Sequence, residues 1–185
     1  MHYRQAIEAY HPANQQEAQD QQAILNYIAH VGDNVLLREN AIAHITSSGF
    51  IMNEALDRVL LVHHNIRGVW GWTGGHADGD TDLLYVALKE ANEETGVTGI
   101  RPLTERVASI DILPVYGHVR KSHYVNAHLH LSVAYILIAD EGAMLRSRPE
   151  ENSGVQWFSV DQFTEAHFDA SDVYLYNKLI DFAQS

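Results

Sequence analysis

Residues 70–97 constrain most tightly what this chain can fold into. Trp70-Gly71-Trp72 leads into Gly74-Gly75-His76-Ala77-Asp78-Gly79-Asp80, read as a glycine loop feeding a helix from about Thr81 to Thr95. Leu83, Leu84, Ala87, Leu88 and Ala91 share one face of that helix, and Gly96 supplies a left-handed C-cap. A helix apolar on one side only must pack on something, and its neighbours have the composition of strands. Ala41–Met52 and Arg58–His64 are predicted strands, separated by the polar turn Asn53-Glu54-Ala55-Leu56-Asp57, with a third, short one over Ile66–Trp72. Further strands are expected at 105–115, 127–139 and 154–159, and a terminal helix at about 172–183. Strands, one central helix, more strands and a closing helix predict an α/β sandwich with a mixed sheet.

Ahead of this pattern the chain is helical. Residues 3–9 form a short predicted helix that stops near His11-Pro12. Asn14 followed by Glu17 resembles a capping box, opening a helix that ends at about Val31 with Gly32 as its stop. Residues 1–38 are therefore read as an N-terminal helical extension packed on a domain of residues 39–185. The extension could also join two copies in a homodimer.

The helix after the glycines ends in Glu90, Glu93 and Glu94. Acids three or four residues apart repel, and acids in the last turn oppose the helix dipole at a cost of about 0.3–1 kcal/mol each. The three span an arc of about 100° beside the apolar stripe, where a cleft can form. Hard carboxylate oxygens suit Mg²⁺ or Mn²⁺, and glycine lets backbone approach an ion or a phosphate. A solvated acidic helix end is the plainer alternative.

Composition narrows the partners. Lys+Arg 12 against Asp+Glu 24 gives a net charge of −12, which argues against a nucleic acid duplex or an anionic membrane as partner. There is no cysteine, hence no disulfide, thiolate zinc site or cysteine nucleophile. The N-terminus lacks the apolar run of a secretory signal, and no stretch approaches the roughly 20 apolar residues of a membrane span. The expectation is a soluble, cytoplasmic protein acting on a small molecule.

The central segment resembles the Nudix box, G-x5-E-x7-R-E-U-x-E-E-x-G-U with U apolar. Gly75 matches its first glycine, Glu90 the acid after the arginine, Glu93 and Glu94 the acid pair, and Gly96-Val97 its end; Ala91 takes the first apolar position. Thr81 stands where the first glutamate belongs, between Asp80 and Asp82, and Lys89 replaces the arginine. The resemblance implies a Nudix-like α/β/α sandwich and metal-dependent hydrolysis of a diphosphate linkage, for instance in a nucleoside diphosphate derivative. It implies Glu90 and Glu94 as principal metal ligands, Glu93 as a third, and a carbonyl of Gly74 or Gly75 completing the sphere. Lys89 with Asp80 or Asp82 would replace the brace of the loop and helix, without the bidentate fork of arginine. Family members recruit the general base from the box or from a later loop; for the loop version the candidates are Glu150 and Glu151, just before the last strand, with Glu151 preferred. Two alternatives accompany this reading. A catalytically silent Nudix module would bind its ligand without turnover. Isopentenyl diphosphate isomerase shares the architecture but relies on a cysteine that this chain lacks.

A dense group of histidines follows the box: His118, His123, His128 and His130. In a strand His128 and His130 share a side with Ser132 and Ala134, while Leu129, Leu131, Val133, Tyr135 and Leu137 face the core. With Arg120, Lys121 and Tyr124 nearby they are candidate substrate contacts, as is His76 beside the glycines. The alternatives are scattered surface histidines and a His-x-His zinc site, the latter short of further soft ligands in the sequence.

Overall fold

The computed structural model describes residues 1–120 and 122–185; Lys121 and the side chain of Arg120 lie outside the described residues. Two helices open the chain, α1 (Tyr3–Glu8) and α2 (Gln15–Val31), followed by a 3-10 turn at Gly32–Leu36. Asn14 caps α2 by accepting the Glu17 N–H at 2.9 Å. Glu17 reaches back to the Ala13 N–H at 2.8 Å, one residue short of the reciprocal capping-box bond. Then come β1 (Ala43–Met52), β2 (Arg58–His64), β3 (Val69–Gly71), β4 (Thr73–His76) and α3 (Leu83–Thr95). The second half contains β5 (Arg101–Pro102), β6 (Ser109–Val115), β7 (His118–Arg120), β8 (His123–Val125), β9 (His128–Ile138), β10 (Asn152–Ser159) and α4 (Ala170–Gln184).

Eight strands form one sheet of order β10-β2-β1-β9-β5, with β3 on β2, β4 on β1 and β6 on β9; β7 and β8 pair as a separate hairpin. The sheet is mixed because β1 and β9 run parallel from Ala43↔Leu129 to Met52↔Ile138 while its other pairs are antiparallel. One face buries Ile45, Ile51, Leu131, Val133 and Leu137 against α1, α2 and α3. The other buries Phe50, Met52, Ala134 and Ile136 against Leu175, Tyr176 and Leu179 of α4. This is the expected α/β/α sandwich. Fully burying one such leucine contributes roughly 1.5–3 kcal/mol, so the two layers hold the sheet between them.

Several boundaries differ from the sequence expectation. The strand expected at Ile66–Trp72 starts instead with a turn, closed by Gly68 N–H donating to His64 O at 2.7 Å, and β3 keeps only Val69–Gly71. The glycines are not a loop. Gly74 and Gly75 are ladder residues of β4, opposite Ser48 and Ser47 of β1. A Cβ on Gly74 would stand 2.7 Å from Ser48 Oγ and 2.9 Å from Ser47 O, so only glycine lets β4 lie there. The strand expected from 105 begins at Ser109, because Thr104 Oγ1 accepts the Arg106 N–H and sets a turn that competes with extension. The side of β9 read as polar is open only at His128 and His130; Ser132 and Ala134 are buried.

Helix α3 starts at Leu83, since Asp82 takes the N-cap by accepting the Tyr85 N–H at 3.2 Å. It ends at Gly96, φ +68°, whose N–H donates to Asn92 O at 2.9 Å. No described helix is long and apolar enough to cross a membrane.

Candidate active site

Helix α3 lays Glu90 and Glu94 against β4. Glu94 Oε1 accepts the Gly74 N–H at 2.9 Å. A Cβ on Gly75 would stand 2.5 Å from Glu90 Cδ, so the strand backbone meets the acid directly. Glu94 is 3% exposed. Burial pushes its carboxyl up to about 8, against the hydrogen bond from Gly74, with the charges of Glu90 and Glu151 adding to the rise. Burial also raises Glu90. One backbone N–H leaves most of a carboxylate's acceptor positions unused, and a desolvated pair of such acids fits a hard divalent cation.

Glu93 turns away from this pair. Its Oε2 lies 2.8 Å from Arg148 Nη1 and its Oε1 3.9 Å from Lys89 Nζ. Arg148 also holds Glu151, Nη1 to Oε2 3.3 Å, in the turn before β10. Glu151 is half-buried and Glu150 exposed, and the Glu151 charge is felt by both Glu90 and Glu94. Asn152, fully buried, donates from Nδ2 to Glu94 O at 2.9 Å and fixes the loop to the end of α3. A cleft of about 280 Å³ lies alongside, lined by His76, Asp78, Asp80, Tyr85 and Lys89.

The histidines converge from three strands. The parallel register places His44 of β1 opposite His130 of β9, and His76 of β4 pairs opposite Thr46. The His44 ring centroid is 4.9 Å from that of His76, 5.2 Å from His130 and 4.8 Å from His128. Burial lowers the pKa of His44, and pushes His76 down to about 4 and His130 to about 3, so these rings are neutral at neutral pH. Neighbouring residues of a strand point to opposite faces, so His76 leaves β4 on the side away from the Glu90 that Gly75 meets. Tyr124 is not part of this group: it stands exposed on the β7–β8 hairpin, which the sequence reading did not anticipate. The expected contacts of Arg120 and Lys121 lie outside the described residues.

A family model described as NUDIX domain matches residues 43–179. The chain belongs to the NUDIX domain family. The Nudix hydrolase expectation drawn from the acid-ended helix therefore stands, and with it an enzyme class that acts on phosphoric anhydrides. No curated protein matches the chain in sequence. Among solved structures, a NUDIX-family hydrolase from Clostridium perfringens is 18% identical, with TM-score 0.52, covering 75% of this chain and 96% of its own. An Ap4A hydrolase from C. elegans, in a binary complex, is 15% identical, with TM-score 0.51 and coverage of 76% and 97%. An ADP-ribose pyrophosphatase from Streptococcus suis is 19% identical, with TM-score 0.52 and coverage of 76% and 92%. At these identities the likeness speaks for the fold.

Within this Nudix chain the two departures from the box do not form the brace expected of them. Lys89 does not meet Asp80 or Asp82; its Nζ lies 3.5 Å from Glu90 Oε1 and near Glu93. Asp82 caps α3 and accepts the chain's N-terminal ammonium at 3.3 Å, while Asp80 Oδ1 accepts the Asp82 N–H at 2.9 Å. At Thr81 the carbonyl accepts the Tyr3 N–H at 2.8 Å, so α1 steadies the segment that the missing glutamate would hold. Sequence reasoning also passed over Arg148, Asn152 and His44. The one available signal was the run His44-Thr46-Ser48 on alternate positions of β1, which parallels His130-Ser132 on β9.

Proposed function

We propose that this Nudix hydrolase cleaves the diphosphate linkage of a nucleoside diphosphate derivative or a similar small molecule, using Mg²⁺ or Mn²⁺ held by Glu90 and Glu94. The observation that carries this reading is the packing of a buried Glu94 and a half-buried Glu90 against the Gly74-Gly75 backbone, with a single described backbone hydrogen bond between them. Lys89 and Arg148, the two cations in contact with these acids, are paired with Glu90, Glu93 and Glu151, so neither is free to take phosphate charge. A bound divalent ion would balance that charge, polarise phosphate oxygens and acidify water.

The chain's own residues divide the remaining work. Glu151 would accept the proton of the attacking water, and its ion pair with Arg148 would hold its carboxylate for that role. The Gly74 N–H fixes one Glu94 oxygen and would leave the other to ligate the ion. Glu93 is better suited to bracing than to ligation, because both of its oxygens meet cations. His76, His128 and His130, on the other side of β4 from the acids, and Tyr124 of the hairpin would meet only substrate groups that extend beyond the diphosphate. Residues 1–38 act as a packed extension of the catalytic domain; Tyr3, Ile7, Ile24 and Ile28 sit in its core.

A panel of nucleoside triphosphates, nucleotide sugars, ADP-ribose and dinucleoside polyphosphates, each with Mg²⁺ or Mn²⁺, tests the reading through released products. Turnover of at least one member that E94Q abolishes supports it. Ligand binding without turnover across the panel would favour a silent binding module.

A further inference from the structure

We propose that His44, His76 and His130 form a second metal site, for a borderline-soft divalent transition metal such as Zn²⁺, on the opposite side of β4 from the carboxylates. A nitrogen of each lies within 4.8 Å of the others. The site is built rather than incidental. His44 is 3% exposed and its Nε2 is buried with no hydrogen-bond partner among the described residues. Its Nδ1 lies 3.0 Å from Asn40 O, which makes Nδ1 the protonated donor and leaves the Nε2 lone pair bare. Leaving such an acceptor dry and unpaired is unfavourable, whereas a ligating histidine commonly has this arrangement, its second nitrogen fixed by a carbonyl.

His128 repeats the pattern. Its Nδ1 lies 2.9 Å from Asn126 O, and its Nε2 lies 3.3 Å from His130 Nε2. Two nitrogens on a tetrahedral ion at Zn–N distances of 2.0–2.1 Å are separated by ~3.3 Å. His128 stands outside the group of three but adjoins His130, and so flanks the fourth coordination position, which water or a substrate oxygen would take. Imidazole favours Zn²⁺, Co²⁺, Ni²⁺ and Cu²⁺ over Mg²⁺, whereas the oxygen donors of Glu90 and Glu94 favour Mg²⁺ or Mn²⁺. The two donor sets therefore sort their ions by chemistry, and strand alternation keeps them apart. Imidazole ligands bring no charge of their own, so the ion's charge stays uncompensated and the site would attract an anionic group in a chain whose net charge is −12.

The test is metal binding, read without activity. The full chain is dialysed with ZnCl₂ in excess MgCl₂ and its metal content measured; CoCl₂ is then titrated and followed by visible absorption. The expected result is one Zn²⁺ per chain and the intense absorption of four-coordinate Co²⁺. H76N and H130N, at half-buried positions, should each weaken binding at least a hundredfold while circular dichroism shows a folded chain. E94Q should keep both signals, which separates this site from the proposed hydrolytic one. Wild-type protein that retains no Zn²⁺, H130N that binds as wild type does, or loss of the signal in folded E94Q would each overturn the proposal.

Discussion

Gly75 of β4 and Glu90 of α3 are in such close contact that the strand residue can carry no side chain: a Cβ there would stand 2.5 Å from Glu90 Cδ and 2.8 Å from its Oε1. The carboxylate end is flexible, so Gly75→Ala should displace the acid rather than the backbone. We expect a loss of Mg²⁺ affinity and of kcat of at least roughly tenfold, with little change in Tm. Gly74 is different, because its Cβ would meet backbone, Ser47 O at 2.9 Å and Ser48 Cα at 3.0 Å. Gly74→Ala should cost about 1–3 kcal/mol of stability in urea denaturation. Equal stability losses in the two variants would contradict this division.

Glu94 predicts a pH dependence whose sign follows from its burial. Its carboxyl is raised to about 8 in the folded chain from an ordinary 4.5, so above 4.5 the unfolded chain has released a proton that the folded chain keeps. Metal-free stability should therefore fall as pH rises through that window. The buried histidines act at the other end: their lowered values make stability fall as pH drops below 6.5. Between pH 6.5 and 8, above the histidine range and below the folded value of Glu94, this carboxyl is the main source of the slope. Thermal unfolding in EDTA should show decreasing Tm across that range, and the slope should flatten in E94Q and in excess Mg²⁺. A slope unchanged in E94Q would rule out Glu94 as its source.

How much of this was legible in the sequence depended on how local each cause is. Helix α3 was readable because its apolar period and Gly96 stop lie within the helix or at its end, although the Asp82 cap was missed and the helix starts at Leu83 instead of the expected Thr81. The acids on it were readable for the same reason. The strand character of Gly74-Gly75 was hidden, since glycine has little intrinsic preference for a ladder and the partner, β1, is 25 residues and more upstream. His44 was hidden likewise: only the parallel register of β1 with β9 sets it opposite His130. Glu17 was read as a capping residue, which it is, but its full burial arises from a lysine in α4.

Arg148 is the cation between Glu93 and Glu151, and Arg148→Ala should loosen the candidate base without unfolding the chain. The ion pairs are partly exposed, at 38% for the arginine side chain, so the stability loss should stay below about 1 kcal/mol. Arg148 also lowers Glu94, so its removal should move the acidic limb of the pH–kcat profile to higher pH. We expect kcat to fall roughly tenfold with KM little changed, and Arg148→Lys to restore part of it through charge alone. An unshifted profile in R148A would mean that the arginine only ties the loop down.

Lys178 of α4 is where α2, β6 and α4 are joined by charge. Its Nζ lies 2.9 Å from Glu17 Oε1 and 2.5 Å from Asp111 Oδ1, with the lysine side chain 9% exposed and the glutamate fully buried. Ser109 Oγ, donating to Asp111, lines the same pocket. Replacing the lysine by methionine preserves the stem but leaves two carboxylates buried together with no cation between them. Removing one partner of such a group costs roughly 3–5 kcal/mol. Lys178→Met should therefore lower the urea midpoint strongly, and adding Glu17→Gln should recover part of the loss, since the two changes act on one interaction. Additive losses, or a cost below about 1 kcal/mol for the single variant, would show that the three elements are held by their apolar contacts alone.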